Sequence, residues 1–161
     1  MKAKRRVVIV ILAVTLGLAM LMVLRIHRRP RLYRVIILPS LGGSVTYPHA
    51  INDRGHVVGY SRTAQGDFHL FLWDRERGIE DLGDIDRGQP SGRLDINNAG
   101  QIAGTTEAAD ESKQAFIRDP NGAMRLLGTL GGSWSGAVTL NNHGQVAGTS
   151  EATDGSQHVF F

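Results

Sequence analysis

Four carboxylates stand at matched places in the chain. Glu107 and Asp110 share an E-A-x-D spacing with Glu151 and Asp154, in polar segments reading TEAADESK and SEATDGSQ. Ca²⁺ takes six to eight oxygen ligands, so acidic loops emerging on one face of a fold are its natural candidates. These segments lack the dense alternation of oxygens found in a dedicated calcium loop, and the plainer reading is a solvated acidic turn. No other cofactor is expected. Trp134, in the run GSWSG, has no apolar neighbour in sequence. An aromatic ring in such a setting suits contact with a sugar or a protein, or packing between structural units. Trp73 closes an apolar run and is expected in the core. The histidines at positions 56, 69, 143 and 158 show no paired metal-ligand spacing. No Ser/His/Asp order, glycine-rich phosphate loop or carboxylate dyad stands out, so no catalytic residue is assigned.

These residues are positioned by a repeat. INDRGHVVG at 51–59 returns as INNAGQIAG at 96–104 and LNNHGQVAG at 140–148, offsets of 45 and 44 residues. Asn52, Asn97 and Asn141, with Gly55, Gly100 and Gly144, are expected to be structural: asparagine bonds its own turn and glycine supplies a positive φ. Each phrase is therefore a β-hairpin. Polar loops lead to third strands (FHLFLW at 68–73, QAFIRD at 114–119) and then to fourth strands (IEDL at 79–82, MRLL at 124–127). LGGS at 41–44 and 130–133 reads as a glycine turn between units.

The expected boundaries are repeat 1 at about 49–85, repeat 2 at about 94–130 and a partial repeat 3 at about 137–161, within a β-repeat domain at 35–161. Residues 35–38, VIIL, align by the period with a fourth strand that lacks its first three. Two expectations follow with equal weight. This orphan strand completes the last unit, within one chain or by exchange between copies, or the chain is a piece of a longer array. A period of 40–45 residues with four strands per unit predicts an all-β fold of about three propeller-blade-like units. A β-trefoil-like threefold closure is the alternative.

The charge is divided. Of 18 Lys+Arg, nine lie in residues 1–34, which hold none of the 15 Asp+Glu, so the remainder carries a net charge of −6. A nucleic-acid partner needs basic groups clustered on the folded part, and none is expected. The absence of cysteine excludes disulfides and thiolate chemistry. After a basic flank at 1–6, the apolar stretch 7–24 has no charge and as a helix rises about 27 Å, close to a hydrocarbon core of about 30 Å. The basic linker at 25–34 is a poor cleavage site and a good membrane border, which favours an uncleaved transmembrane signal anchor over a cleaved signal peptide. The two flanks are too alike in charge to fix orientation.

The I-N-x-x-G-x-V-x-G phrase, the H-x-F-L-W strand and the D-L-G and LGGS elements together resemble the HAF-repeat family of probable extracellular proteins. The matching residues are Ile51, Asn52, Gly55, Gly59, His69, Phe71, Leu72, Trp73, Asp81, Leu82 and Gly83, with LGGS at 130–133. Ile117 and Arg118 depart from the usual Leu-Trp, and residues 84–86 from the usual linker. The resemblance covers about 125 residues, essentially everything after the anchor. It implies a surface β-repeat protein with the repeats outside the membrane, and it carries no reaction or cofactor. The function expected is a membrane-anchored extracytoplasmic module that binds protein or glycan or serves structural display. A propeller-like hydrolase or lyase and a remnant of a longer repeat protein are the alternatives.

Overall fold

A computed structural model describes residues 33–84, 92–107 and 111–161; of Val138 only the backbone is described. Among the described residues the fold is all-β, without a helix. The first unit is an antiparallel meander of β1 (Gly42–Ile51), β2 (Val57–Thr63), β3 (Phe68–Asp74) and β4 (Gly78–Asp81). The second comprises β5 (Leu94–Ile96), β6 (Ile102–Glu107), β7 (Lys113–Arg118) and β8 (Met124–Gly128), each paired with the next. The third comprises β9 (Gly131–Leu140), β10 (Val146–Ala152) and β11 (Gln157–Phe160). A parallel pairing of Lys113 with Trp134 joins β7 to β9, so the second and third units share one sheet path.

Three local readings are corrected. LGGS is not a turn: β1 starts at Gly42 and β9 at Gly131, giving first strands of ten residues. The physical reason is a buried serine one strand away. Ser61 Oγ accepts the Leu41 N–H at 3.0 Å, and its counterpart Ser150 Oγ accepts the Leu130 N–H at 2.9 Å. Side chains at Gly43 and Gly132 would run into the backbone of Arg62 and Glu151, so the paired glycines allow close strand approach. Repeat 1 thus begins before 49 and repeat 3 before 137. Third, the orphan strand expected at 35–38 does not pair within the single chain. Residues 33–40 carry no regular structure, and Val35 and Ile37 are 86% and 91% exposed. A strand needs a ladder partner for its backbone groups, and the chain acquires one only from Gly42. The transmembrane segment expected at 7–24 lies outside the described residues, as do 1–6 and 25–32 of its flanks; among the residues described, no helix is long and apolar enough to cross a membrane.

Alternation along the strands builds two apolar layers. Val58, Tyr60 and Leu70 of the first unit pack with Leu94, Ile96, Ile102 and Phe116 of the second. Ala103, Ala115 and Ile117, on the other face of the second unit, pack with Ala137 and Leu140 of the third. The inner strands of the middle unit are therefore covered on both faces, and β6 is buried at every residue from Ile102 to Thr106, while β8 at the edge is exposed throughout. The glycine that ends each repeated phrase faces a phenylalanine across the ladder: Gly59 with Phe71, Gly104 with Phe116, Gly148 with Phe160. A Cβ at Gly104 would lie 2.9 Å from Phe116 Cε1, so the missing side chain is the seat of the ring.

The asparagines brace the units as well as capping their turns. Gly55, Gly100 and Gly144 adopt φ of 79°, 84° and 78° at equivalent corners. Asn52 Oδ1 accepts the Arg54 and His56 N–H groups, both at 3.0 Å. Its Nδ2 donates to the Asn97 carbonyl at 2.9 Å, and Asn97 Nδ2 donates to the Asn141 carbonyl at 3.1 Å. Asp95 adds a strut between the second and third units by accepting the Leu140 N–H at 2.7 Å.

Candidate functional site

Trp134 lies near the start of β9, at its parallel pairing with Lys113. Beside that pairing is an open cleft of about 550 Å³. Trp134, Ser133 and Thr129 line it together with Glu111, Ser112, Lys113 and Gln114. The indole is half-buried. Gly136, on the same strand face, has no side chain to compete with it: a Cβ there would stand 3.9 Å from Trp134 Cζ3.

The polar groups around the ring are held in place. Ser133 gives both its N–H (2.7 Å) and its hydroxyl to Glu151 Oε2. Those two bonds hold the Glu151 carboxyl below its ordinary range. Gln114 Nε2 donates to Ser112 Oγ at 2.9 Å, and Thr129 Oγ1 donates to the Gly132 carbonyl at 2.9 Å. One aromatic face among fixed hydroxyls, an amide, an ammonium and the carboxylate of Glu111 is a surface that can stack on a ring and bond its substituents. Trp134 was legible in the sequence as a candidate contact. Its partners were not, because Gln114 and Ser133 meet only through the pairing of β7 with β9.

The other candidates are dispersed. Glu107 ends β6 and is half-buried, and Asp110 lies outside the described residues. Glu151 is on β10, whereas Asp154 is in the hairpin that follows. Asp154 Oδ1 accepts the Ser156 N–H at 2.9 Å and its hydroxyl at 2.5 Å, which lowers the Asp154 pKa. Each carboxylate of the third unit is thus engaged by a serine near it. Among the described residues no group of three histidine or acidic side chains gathers in a geometry that could hold a metal ion.

One constellation escaped the sequence reading. Ser156 Oγ lies 2.7 Å from His158 Nε2 as well as beside Asp154, the three residues alternating along the chain. The serine stands in the middle, with its proton directed to the carboxylate. A nucleophile–base relay needs the imidazole in the middle and accepting that proton. His69, the counterpart of His158, instead bonds both carboxylate oxygens of Asp81 at 2.9 Å from its Nδ1. His49 stacks edge-on to Tyr60 with ring centroids 5.3 Å apart. Burial, and then the charge of Arg93, lowers its pKa.

No protein-family model, curated protein or solved structure matches the chain.

Proposed function

We propose that the chain is a membrane-anchored, extracytoplasmic β-repeat module of the HAF-repeat type whose work is binding, and that the Trp134 cleft receives a glycan. The observation that carries the reading is the half-buried indole among fixed polar groups. A pyranose ring offers an apolar face for stacking and equatorial hydroxyls for Gln114, Ser133 and Lys113. The divided charge of the chain and the apolar stretch at 7–24 support the anchored placement. Within the first two units the strands follow meander order, and this supports blades over a trefoil-like closure, in which the outer strands of a unit would join a common barrel.

The test is tryptophan fluorescence of the full chain during titration with cello-, chito- and manno-oligosaccharides. At least one series should give a saturable change that Trp134→Ala abolishes, while Trp73 remains as the internal reference. A change that survives Trp134→Ala, or none with any of the three, refutes the glycan assignment. Protein binding that is sensitive to the same substitution would assign the cleft to the other ligand class.

A further inference from the structure

A second cavity, of about 230 Å³, lies between the first and second units. We propose that it is an anion site, taking a phosphate, sulfate or carboxylate group through the guanidiniums of Arg54, Arg77 and Arg118. This proposal is independent of the Trp134 cleft.

The repeats hold nine Lys+Arg in all against 15 Asp+Glu. Three of the nine line this one cavity, with His56 beside them and Glu80 as the acidic residue among the described lining residues. Arg77 is oriented by Asp74, whose Oδ2 accepts its Nε–H at 2.6 Å. Among the described residues no ion pair engages Arg54 or Arg118. Arginine presents a planar fork of donors suited to the paired oxygens of phosphate, sulfate or carboxylate. The small volume suits one such group and not an extended ligand.

The repeat supplies its own control. The cleft between the second and third units, of about 460 Å³, is the same place one period on. Leu72, Leu82, Gly100 and Ile102 of the first cavity correspond to Ile117, Leu127, Gly144 and Val146 of the second. At that interface the positions of Arg54, His56 and Arg77 are taken by Ala99, Gln101 and Gly122, and the position of Glu80 by Arg125. The backbone and apolar walls recur while the guanidiniums of Arg54 and Arg77 do not, and the one present there, Arg125, stands in the place of Glu80. Stacking the units therefore does not require them, and their gathering at one interface calls for a ligand.

Titration calorimetry of the full chain at low ionic strength, with inorganic phosphate, sulfate and methyl glucuronide, tests this. At least one anion should bind at a single site and weaken as sodium chloride is added. Arg118→Gln should reduce the affinity by about ten- to 100-fold, the loss of one charge-assisted bond. Arg54→Gln, at an exposed position, should act in the same direction and decides the matter if Arg118→Gln fails to fold. Arg125→Gln, in the period-related cleft, should leave binding unchanged. Preference for phosphate or sulfate over glucuronide would assign a tetrahedral anion, and the reverse a uronate. Lack of saturable binding by all three anions, or equal binding by the folded arginine variants, overturns the proposal.

Discussion

Replacing Asn97 by alanine isolates the brace between units. Its side chain, 3% exposed, makes three bonds: Nδ2 to Gln101 Oε1 at 2.8 Å, Nδ2 to the Asn141 carbonyl at 3.1 Å, and Oδ1 from the Gln101 N–H at 3.0 Å. Each buried bond is worth about 1 kcal/mol net, and an N–H left without a partner costs a further 1–3 kcal/mol where water is excluded. Gln101 is half-buried, so the loss expected is about 3 kcal/mol. Asn141 supplies the comparison. Its side chain caps the same turn with bonds to the His143 and Gln145 N–H groups at 2.9 and 3.0 Å and to Gln145 Oε1 at 2.6 Å, but it is exposed and, among the described residues, bonds no other unit. Water replaces most of what Asn141→Ala removes, and about 1 kcal/mol is expected. Asn97→Asp keeps the acceptor for Gln101 N–H yet sets an oxygen against the Asn141 carbonyl, so it should cost as much as alanine. Urea unfolding of the full chain, followed by circular dichroism, reads all three as midpoint shifts at constant slope. Equal losses for Asn97→Ala and Asn141→Ala would refute the brace and reduce both asparagines to turn formers.

Two further outcomes are expected. Gly104→Ala places a Cβ 2.6 Å from Leu94 Cδ2 and 2.9 Å from Phe116 Cε1, and this overpacking should cost about 1–3 kcal/mol in the same unfolding assay. Acidification should lower thermal stability in two stages. His49 has a lowered pKa because its neutral form is favoured by burial; its contribution is full above the ordinary value of 6.5 and is lost as pH falls through the lowered one. Glu151 and Asp154 are lowered from 4.5 and 3.8 by serine donors, so their contributions hold above those values and are lost below them. His49→Phe, which keeps an aromatic edge against Tyr60, should flatten the first stage alone in melting curves taken from pH 7 to 3. An unchanged first stage would remove His49 from the account.

Most of what the sequence determined is local chemistry. An asparagine three residues before a glycine closes a hairpin wherever it stands, because the bonds run within five residues and the corner needs a positive φ. The period, the hairpins and the count of strands per unit could therefore be read from Asn52, Gly55 and their repeats, as could an all-β class. The glycines of LGGS could not be read correctly. A paired glycine serves equally as a turn or as a strand under close approach, and the choice rested with Ser61 and Ser150, each 20 residues further along the chain. Residues 35–38 have every strand-forming side chain and form none, since pairing belongs to the partner and not to the segment. Trp134 was visible as an aromatic out of place, but a cleft exists only between two units, where Lys113, Gln114 and Ser133 meet across the β7–β9 pairing. The cavity of Arg54, Arg77 and Arg118 is more distant still, since its members span 64 positions and share no motif. Tertiary structure decided these sites because stacking of units sets which side chains converge, while the repeat unit sets only which way each one faces.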